Sequence, residues 1–350
     1  MAGDKDLNLI NGLCRRLAQV RLPPGQRNPL IETLAALSQG QQQAVVRHLT
    51  GAGVAVWVAG HGLQWAAAAQ QQLADAAARE VHRTMAAQRQ MWSVVAAIEA
   101  QLGPVVLVFK GWAVEQLAYA APLVRPCTDV DLVIAPGQMG AVAEVLRQLG
   151  MQLHHTRSGA AHWLGVDTAV DVHDAPIDPR RCPAFADAGA ITALFARAVR
   201  KQGVPVLADA DQAALLLLHA TTGLGSDLRH LADLAHVWHA AGVADGDVVA
   251  RLQCWRAMTP AHIVVLAVLR HCREDPPAQL LAFAALLGAP KLRLATARAA
   301  QGVARRNRPP AAPNPWWGEA VLLAAAWPDA KWTALSRGMI NRIRGGGQRW

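Results

Sequence analysis

The sequence has few of the residue types that mark secreted, membrane-spanning or zinc-ribbon proteins. Its 350 residues include five cysteines, which are far apart and form no Cys-x-x-Cys pair, so neither a disulfide framework nor a structural zinc ribbon is indicated. No uncharged apolar run approaches the roughly 18 to 20 residues that span a bilayer, and the charged N-terminus is not followed by an apolar segment. We therefore expect a protein of the reducing cytoplasm, without a secretion signal or transmembrane segment.

Negative charge is scarce in one part of the chain only. The net charge is +9, yet residues 291–350 hold 11 Lys and Arg against 2 Asp and Glu, so residues 1–290 are neutral. A pI near 10 favours nucleic acid or an acidic membrane surface as a partner, but here this applies to the tail alone. Apolar residues within 331–344 recur at helical spacing, with the basic residues mostly off that stripe. We predict an amphipathic helix that either packs on the protein, which we favour, or touches RNA or a membrane surface.

The pattern of apolar, glycine and proline residues changes along the chain, and these changes predict four regions. Apolar residues recur at helical spacing between Leu63 and Leu102, a stretch that has neither glycine nor proline. β-Branched runs bounded by turn residues follow from Gly103 onward, and helical periodicity returns after Ala208. The predicted regions are an N-terminal helical region (1–102), an α/β core (103–208), a helical domain (209–304) and a basic, Pro- and Trp-containing tail (305–350). The fold class is α+β, a small mixed sheet with helical regions before and after it.

Strands and helices within the core can be placed from the apolar pattern. Proline 136 is expected in the first turn of a helix that ends at Gly150. A second helix is expected over 111–119. The predicted strands are 105–109, 127–134, 152–156, 162–165, 169–173 and 204–207.

The strongest chemical signal is Asp129-Val130-Asp131, inside a predicted strand. Side chains alternate faces along a strand, so the two carboxylates point to the same side. Like charges this close repel, and a divalent cation between them is the usual compensation. Asp171 and His173 share a face of a second strand in the same way. If the two strands are neighbours, three carboxylates converge as a two-metal phosphoryl or nucleotidyl transfer site requires.

Positively charged and small residues lie close to these carboxylates in the sequence. Lys110-Gly111 falls between a strand end and a helix start, where free backbone N–H groups suit a polyphosphate. Arg125 adds a second cation four residues before Asp129. Thr128, next to Asp129, is a further candidate contact to the nucleotide.

These motifs resemble the bacterial uncharacterised nucleotidyltransferase family, within the DNA polymerase β type superfamily. The resemblance covers roughly residues 85–240. It rests on Lys110-Gly111, Arg125-Pro126, Asp129-x-Asp131-Leu132-Val133, Val170-Asp171-x-His173, His219 and Leu228-Arg229-His230-Leu231-Ala232-Asp233-Leu234.

The resemblance implies a nucleotidyltransferase-like sheet and a role for each matching position. Gly111 matches the glycine of the superfamily's Gly-Ser motif, and Trp112 replaces the serine that contacts the triphosphate in many members. Asp129 and Asp131 match the paired metal ligands, and Asp171 matches the third carboxylate. Lys110, Arg125 and His173 match positions that recur in this branch.

The resulting expectation is an Mg²⁺-dependent nucleotidyltransferase that binds two Mg²⁺ ions and a nucleoside triphosphate such as ATP. The acceptor is a small molecule, a peptide, a protein or RNA. Alternatives are an enzyme using the metal complex of a nucleotide sugar, a toxin-like enzyme acting on tRNA ends, and a non-catalytic maturation factor that keeps the fold and binds nucleotide or peptide. Residues 1–102 read as helices rather than βαβ units, which disfavours the nucleotide-sugar alternative.

Several other polar residues have simpler structural explanations. Arg229 and Asp233 are four apart on a helix and are expected to form an ion pair. His219 is expected to be a hydrogen-bonded core histidine, and the thiolate of Cys127 is disfavoured by the nearby negative charge. Three histidines could join His173 around zinc, but no His-x-x-x-His helix is present, so we expect structural or exposed side chains. These are His154, His155 and His162.

Overall fold

The structure is a computed structural model that describes residues 13–14, 17–18, 27–119, 125–157, 159–166, 168–221, 228–239, 243–271 and 278–287. The predicted tail 305–350, with its helix 331–344, lies outside the described residues. Within these ranges, no helix combines the length and the apolar character needed to cross a bilayer.

Helices dominate the described residues before the sheet. A capping box begins the second of them: the Ser38 side chain accepts from the N–H of Gln41, and the Gln41 side chain accepts from the N–H of Ser38. The fourth runs without interruption for 36 residues, about 54 Å, and is followed by Gly103, whose φ of 78° suits glycine. These helices are α1 (Arg27–Ala35), α2 (Gln39–Gly51), α3 (Ala55–Gly60) and α4 (Ala67–Leu102).

One face of α4 connects the N-terminal helices to the rest of the molecule. The buried Glu80 carboxylate accepts from the first two backbone N–H groups of α3, at 3.2 and 2.9 Å. One turn later the Thr84 hydroxyl accepts from the backbone N–H of Cys127, at 3.0 Å. After another turn, Gln88 Nε2 donates to Glu115 Oε2, at 2.8 Å. The long helix is therefore bonded both to α3 and to the segment that enters the acidic strand.

The described strands form one mixed sheet of seven strands, in the order β3-β4-β5-β2-β1-β7-β6. β1 pairs antiparallel with β2 and parallel with β7, and β2 pairs parallel with β5. This confirms the predicted α+β class. The strands are β1 (Val106–Phe109), β2 (Asp129–Ile134), β3 (Gln152–Arg157), β4 (Ala160–Leu164), β5 (Ala169–His173), β6 (Val199–Lys201) and β7 (Val204–Val206).

The two faces of the sheet are covered by different helices. Val130, Leu132 and Ile134 pack with α4 and with the helix over residues 139–148 in one core. Val133 joins a second core, formed with the helices after the sheet. Because side chains alternate along β2, Asp131 lies on the same face as Val133. The acidic residues therefore face the C-terminal helices. The helices after β1 are α5 (Gly111–Ala118), α6 (Met139–Gln148), α7 (Ala188–Arg197), α8 (Asp209–Ala220), α9 (Leu228–His239), α10 (Asp245–Cys254), α11 (Met258–His271) and α12 (Ala278–Leu287).

Apart from shifts of one or two residues at the ends of elements, two local predictions differ from the structure. Pro136 was expected in the first turn of a helix, and this is wrong: Pro136 precedes a turn at Gly137, where φ is 80°, and α6 begins at Met139. The short strand β6 was not predicted. It pairs with β7 at the edge of the sheet, beyond the strands that the apolar pattern identified.

Candidate active site

Strands β2 and β5 bring the three predicted carboxylates into one pocket. In their parallel pairing, Asp131 lies opposite Asp171. Asp129 precedes Asp131 by two residues and His173 follows Asp171 by two, so all four side chains lie on the same face. All three carboxylates line a pocket of about 230 Å³. The sequence had identified these residues, and their catalytic roles remain predictions.

Lys110 and His173 both contact the Asp131 carboxylate. Lys110 Nζ lies 2.8 Å from Asp131 Oδ1, and His173 Nε2 lies 3.3 Å from the same oxygen. Lys110 is the residue between β1 and α5, and its φ is 54°. Both side chains also contact the ring of Phe109: the lysine nitrogen lies 4.6 Å from its centroid, and the imidazole meets it edge-on.

The pKa values of Asp129 and Asp131 are shifted in opposite directions. Burial would raise the pKa of Asp131, but Lys110 and the His173 hydrogen bond outweigh it and hold the pKa of that carboxyl well below its usual range. Burial raises the pKa of Asp129, and the charges of Asp131 and Asp171 reinforce that rise; Arg229 and Lys110 oppose it. Asp129 is therefore the carboxylate whose negative charge is least compensated, and a cation beside it would relieve the repulsion.

Asp171 has a histidine partner from the neighbouring strand. β4 pairs antiparallel with β5 so that His162 lies opposite Asp171, and His162 Nδ1 hydrogen-bonds to Asp171 Oδ1. The His155 ring stacks on the His162 ring, with centroids 4.9 Å apart. The sequence prediction treated these histidines as structural or exposed. It could not identify this contact because it depends on the pairing of two strands.

The described residues contain one group of side chains that could hold a metal ion. A carboxylate oxygen of Asp131, a carboxylate oxygen of Asp171 and a ring nitrogen of His173 lie within 4.8 Å of one another. Carboxylate and imidazole ligands suit divalent cations. The sequence prediction placed Asp129 in the metal set and His173 among the nucleotide contacts. In the structure, His173 belongs to this compact group and Asp129 adjoins it.

Gly111 is required by close packing at the start of α5. A Cβ at this position would lie 2.7 Å from Cys127 Sγ, closer than real Cβ atoms approach. The Cys127 thiol in turn hydrogen-bonds to the carbonyl of Asp129, at 3.0 Å, and burial raises its pKa to about 12. The thiol is therefore a packing group rather than a nucleophile, in agreement with the prediction. Thr128 is exposed, and its carbonyl accepts from the Thr168 hydroxyl at 2.7 Å.

Trp112, which replaces the serine of the resembled motif, faces the opposite core. Its side chain is 5% exposed and packs edge-on against Trp92 of α4. The Trp112 side chain therefore does not line the pocket that holds the three carboxylates.

Arg125 forms a buried ion pair with Asp233. Its Nε and Nη2 donate to the two carboxylate oxygens of Asp233, at 3.0 and 2.9 Å, and the Tyr119 hydroxyl donates to the same carboxylate at 2.7 Å. Arg125 is 5% exposed and Asp233 is fully buried. Asp233, expected to pair with Arg229, is thus bound by Arg125, which joins the segment before β2 to helix α9. The predicted role of Arg125 as a polyphosphate cation remains a prediction.

Residues of α8 and α9 form the wall opposite the carboxylates. Leu216, His219, Arg229 and His230 line the same pocket as Asp131. The His219 and His230 rings meet edge-on, with centroids 5.1 Å apart. Burial, aided by the charge of Lys110, holds the pKa of His219 well below its ordinary value, so its imidazole is neutral. His219, Arg229 and His230 were quoted in the resemblance without a binding role, Leu216 was not quoted, and only the tertiary structure brings them to the carboxylates.

Comparison with known proteins identifies the family. The search of curated proteins gives no match. The model of a family described as uncharacterised nucleotidyltransferase matches residues 42–272, which include every residue of the pocket. The match confirms the predicted enzyme class and leaves the acceptor open. The chain therefore belongs to the uncharacterised nucleotidyltransferase family.

Proposed function

We propose that the protein transfers a nucleoside monophosphate from a nucleoside triphosphate to a hydroxyl or phosphate acceptor, with release of pyrophosphate. The observation that carries this proposal is the pairing of Asp131 with Asp171 across β2 and β5, with Lys110 at the same pocket, in a chain of the nucleotidyltransferase family. The fold would then be of the DNA polymerase β type.

The acidic residues would hold two divalent cations, with Mg²⁺ as the predicted ion. Asp129 and Asp131 would hold both ions, which their position on one face of β2 supports, and Asp171 would complete one of the two positions. The two close carboxylates fit such cations because the negative charge of Asp129 is not offset by Lys110 and His173 to the extent that the charge of Asp131 is. When bound, the ions would supply charge stabilisation to the reacting phosphate.

The residues around the carboxylates would bind the triphosphate and move one proton. Lys110 and the first N–H groups of α5, at Gly111, would bind phosphate oxygens. The acceptor oxygen would form a bond to the α-phosphorus while the bond to the bridging oxygen of pyrophosphate breaks. Asp171 would accept the acceptor's proton, held in orientation by its hydrogen bond from His162.

A labelling experiment tests the proposal. Full-length protein is incubated with each nucleoside triphosphate, radiolabelled on the α-phosphate, together with Mg²⁺ and a cell lysate. We expect label to enter one size class of acceptor, and Asp131→Asn to abolish this. Glu144→Gln, an exposed change on α6, is the matched control and should label normally.

The outcomes separate the proposal from its alternatives. Equal labelling by wild type and a folded Asp131→Asn variant would remove Asp131 from the mechanism. Triphosphate binding in calorimetry without any label transfer would favour the non-catalytic maturation factor. The size of the labelled product distinguishes a small molecule or peptide from a protein or RNA.

A further inference from the structure

We propose that His173 is a metal ligand, and that the cation position between Asp131, Asp171 and His173 prefers a divalent transition metal over Mg²⁺. The inference concerns one of the two cation positions and rests on the proposed function. It assigns to this position a mixed nitrogen and oxygen ligand set.

The geometry of the three side chains is close to that of a formed site. Their ligand atoms lie within 4.8 Å of one another. Two ligands bound to one ion at about 2.1 Å are at most about 4.2 Å apart, so small side-chain adjustments would bring the group to bonding distances. Asp131 and Asp171 are register partners on adjacent strands, which fixes the separation of their backbones.

The surroundings of His173 aim its ring at the carboxylates. The ring lies edge-on to Phe109, with centroids 5.3 Å apart and an interplanar angle of 87°. Its side chain is 18% exposed, and Nε2 points at Asp131 Oδ1. The same nitrogen that meets the carboxylate in this structure is therefore placed to bind a cation held by that carboxylate.

The ligand chemistry decides which cation is preferred. Mg²⁺ demands near-ideal octahedral geometry and is usually bound through carboxylates, phosphates and water. Imidazole suits transition metals such as zinc and iron, and affinity for first-row metals rises from Mn²⁺ through Co²⁺ toward Cu²⁺. Two carboxylates with one imidazole therefore favour Co²⁺ or Zn²⁺ over Mg²⁺. Asp171 also has the outer hydrogen bond from His162 that orients metal-binding carboxylates.

Metal binding to the full-length protein, without nucleotide, tests the ligand directly. Bound Mn²⁺ is studied by electron spin-echo envelope modulation, which detects a coordinated imidazole nitrogen. We expect nitrogen modulation in the wild type and its loss in His173→Gln. The control is His154→Gln, an exposed histidine of β3 outside the group, which should keep the modulation.

Affinities measured by calorimetry with Co²⁺ and with Mg²⁺ provide the second readout. We expect His173→Gln to weaken Co²⁺ binding by at least about 10-fold and Mg²⁺ binding by much less. Bound Mn²⁺ without nitrogen modulation in the wild type would overturn the inference whether or not the variant folds. So would equal losses of Co²⁺ and Mg²⁺ affinity in His173→Gln.

The result can be separated from that of the proposed function. If Mn²⁺ binds without a nitrogen ligand while the lysate labelling occurs, His173 is not a ligand and the transferase proposal stands. If neither Co²⁺ nor Mg²⁺ binds and no label is transferred, both proposals fail.

Discussion

The buried pair of Arg125 and Asp233 allows a sharp test of what Arg125 does. Replacing Arg125 with Met leaves the fully buried Asp233 carboxylate with the Tyr119 hydroxyl as its remaining partner in this network of described residues. Removing one member of a buried ion pair costs about 3 to 5 kcal/mol, and we expect this loss of unfolding free energy in Arg125→Met and also in Asp233→Leu. The double variant leaves no buried charge at the position of this ion pair. It should cost about 1 to 3 kcal/mol, mainly because the Tyr119 hydroxyl loses its acceptor.

Urea unfolding of the full-length variants, followed by far-UV circular dichroism, measures these free energies. The reasoning requires the double variant to be more stable than either single variant, which is the signature of direct coupling. A cost for Arg125→Met below about 1 kcal/mol, typical of an exposed pair, would refute it. If Arg125→Met instead unfolds like the wild type and binds triphosphate more weakly in calorimetry, the predicted polyphosphate role is correct.

Three further predictions concern the pocket. Gly111→Ala should destabilise the protein by about 1 to 3 kcal/mol because its Cβ would meet Cys127 Sγ, and Cys127→Ala in the same chain should recover most of the loss in thermal melting; no recovery would contradict the contact. With a metal chelator present, so that no cation is bound, Asp129→Asn should raise the melting temperature near neutral pH and Asp131→Asn should lower it. The pKa of Asp129 is raised in the folded protein, so its ionisation lowers the free energy of unfolding as pH rises from the pKa of the unfolded chain through that of the folded protein. The pKa of Asp131 is lowered in the folded protein, so its ionised form stabilises the fold above the pKa of the unfolded chain, and this stability is lost as pH falls through the pKa of the folded protein. Equal shifts in both variants would be inconsistent with these opposite environments. Iodoacetamide at mildly alkaline pH should modify the exposed Cys254 and leave Cys127 intact in peptide mass spectrometry, and rapid labelling of Cys127 would show that its thiol is not buried as described.

The strands that bear chemistry could be predicted because their residue patterns are local. The apolar run before Lys110 and the alternation around Asp131 each match a strand of the structure closely. β6 could not be predicted, because two of its three residues are exposed and its turn at Gln202-Gly203 takes positive φ values at both positions without the usual Asn-Gly or Asp-Gly signal.

The candidate site could be predicted on the side of the carboxylates, with Lys110 and His173, but not on the opposite wall from α8 and α9. Two carboxylates on one strand follow from alternation, but the convergence of Asp171 required the order of the sheet, which the sequence left as a condition. The same holds for His162, whose partner is chosen by the pairing of β4 with β5. Arg125 and Asp233 are 108 residues apart in the chain, so no periodic pattern relates them.

The long helix α4 makes the acidic pocket dependent on residues far from any carboxylate. Glu80, Thr84 and Gln88 follow one another at intervals of four, so their three bonds leave a single face of the helix. One extra residue inserted between Glu80 and Thr84 would rotate everything beyond it by about 100°. The helix could then keep either the hydrogen bonds of Glu80 to α3 or that of Thr84 to the Cys127 backbone, but not both. The segment that enters β2 would lose its hydrogen bond to the helix, although the sequence still contained every charged residue of the pocket.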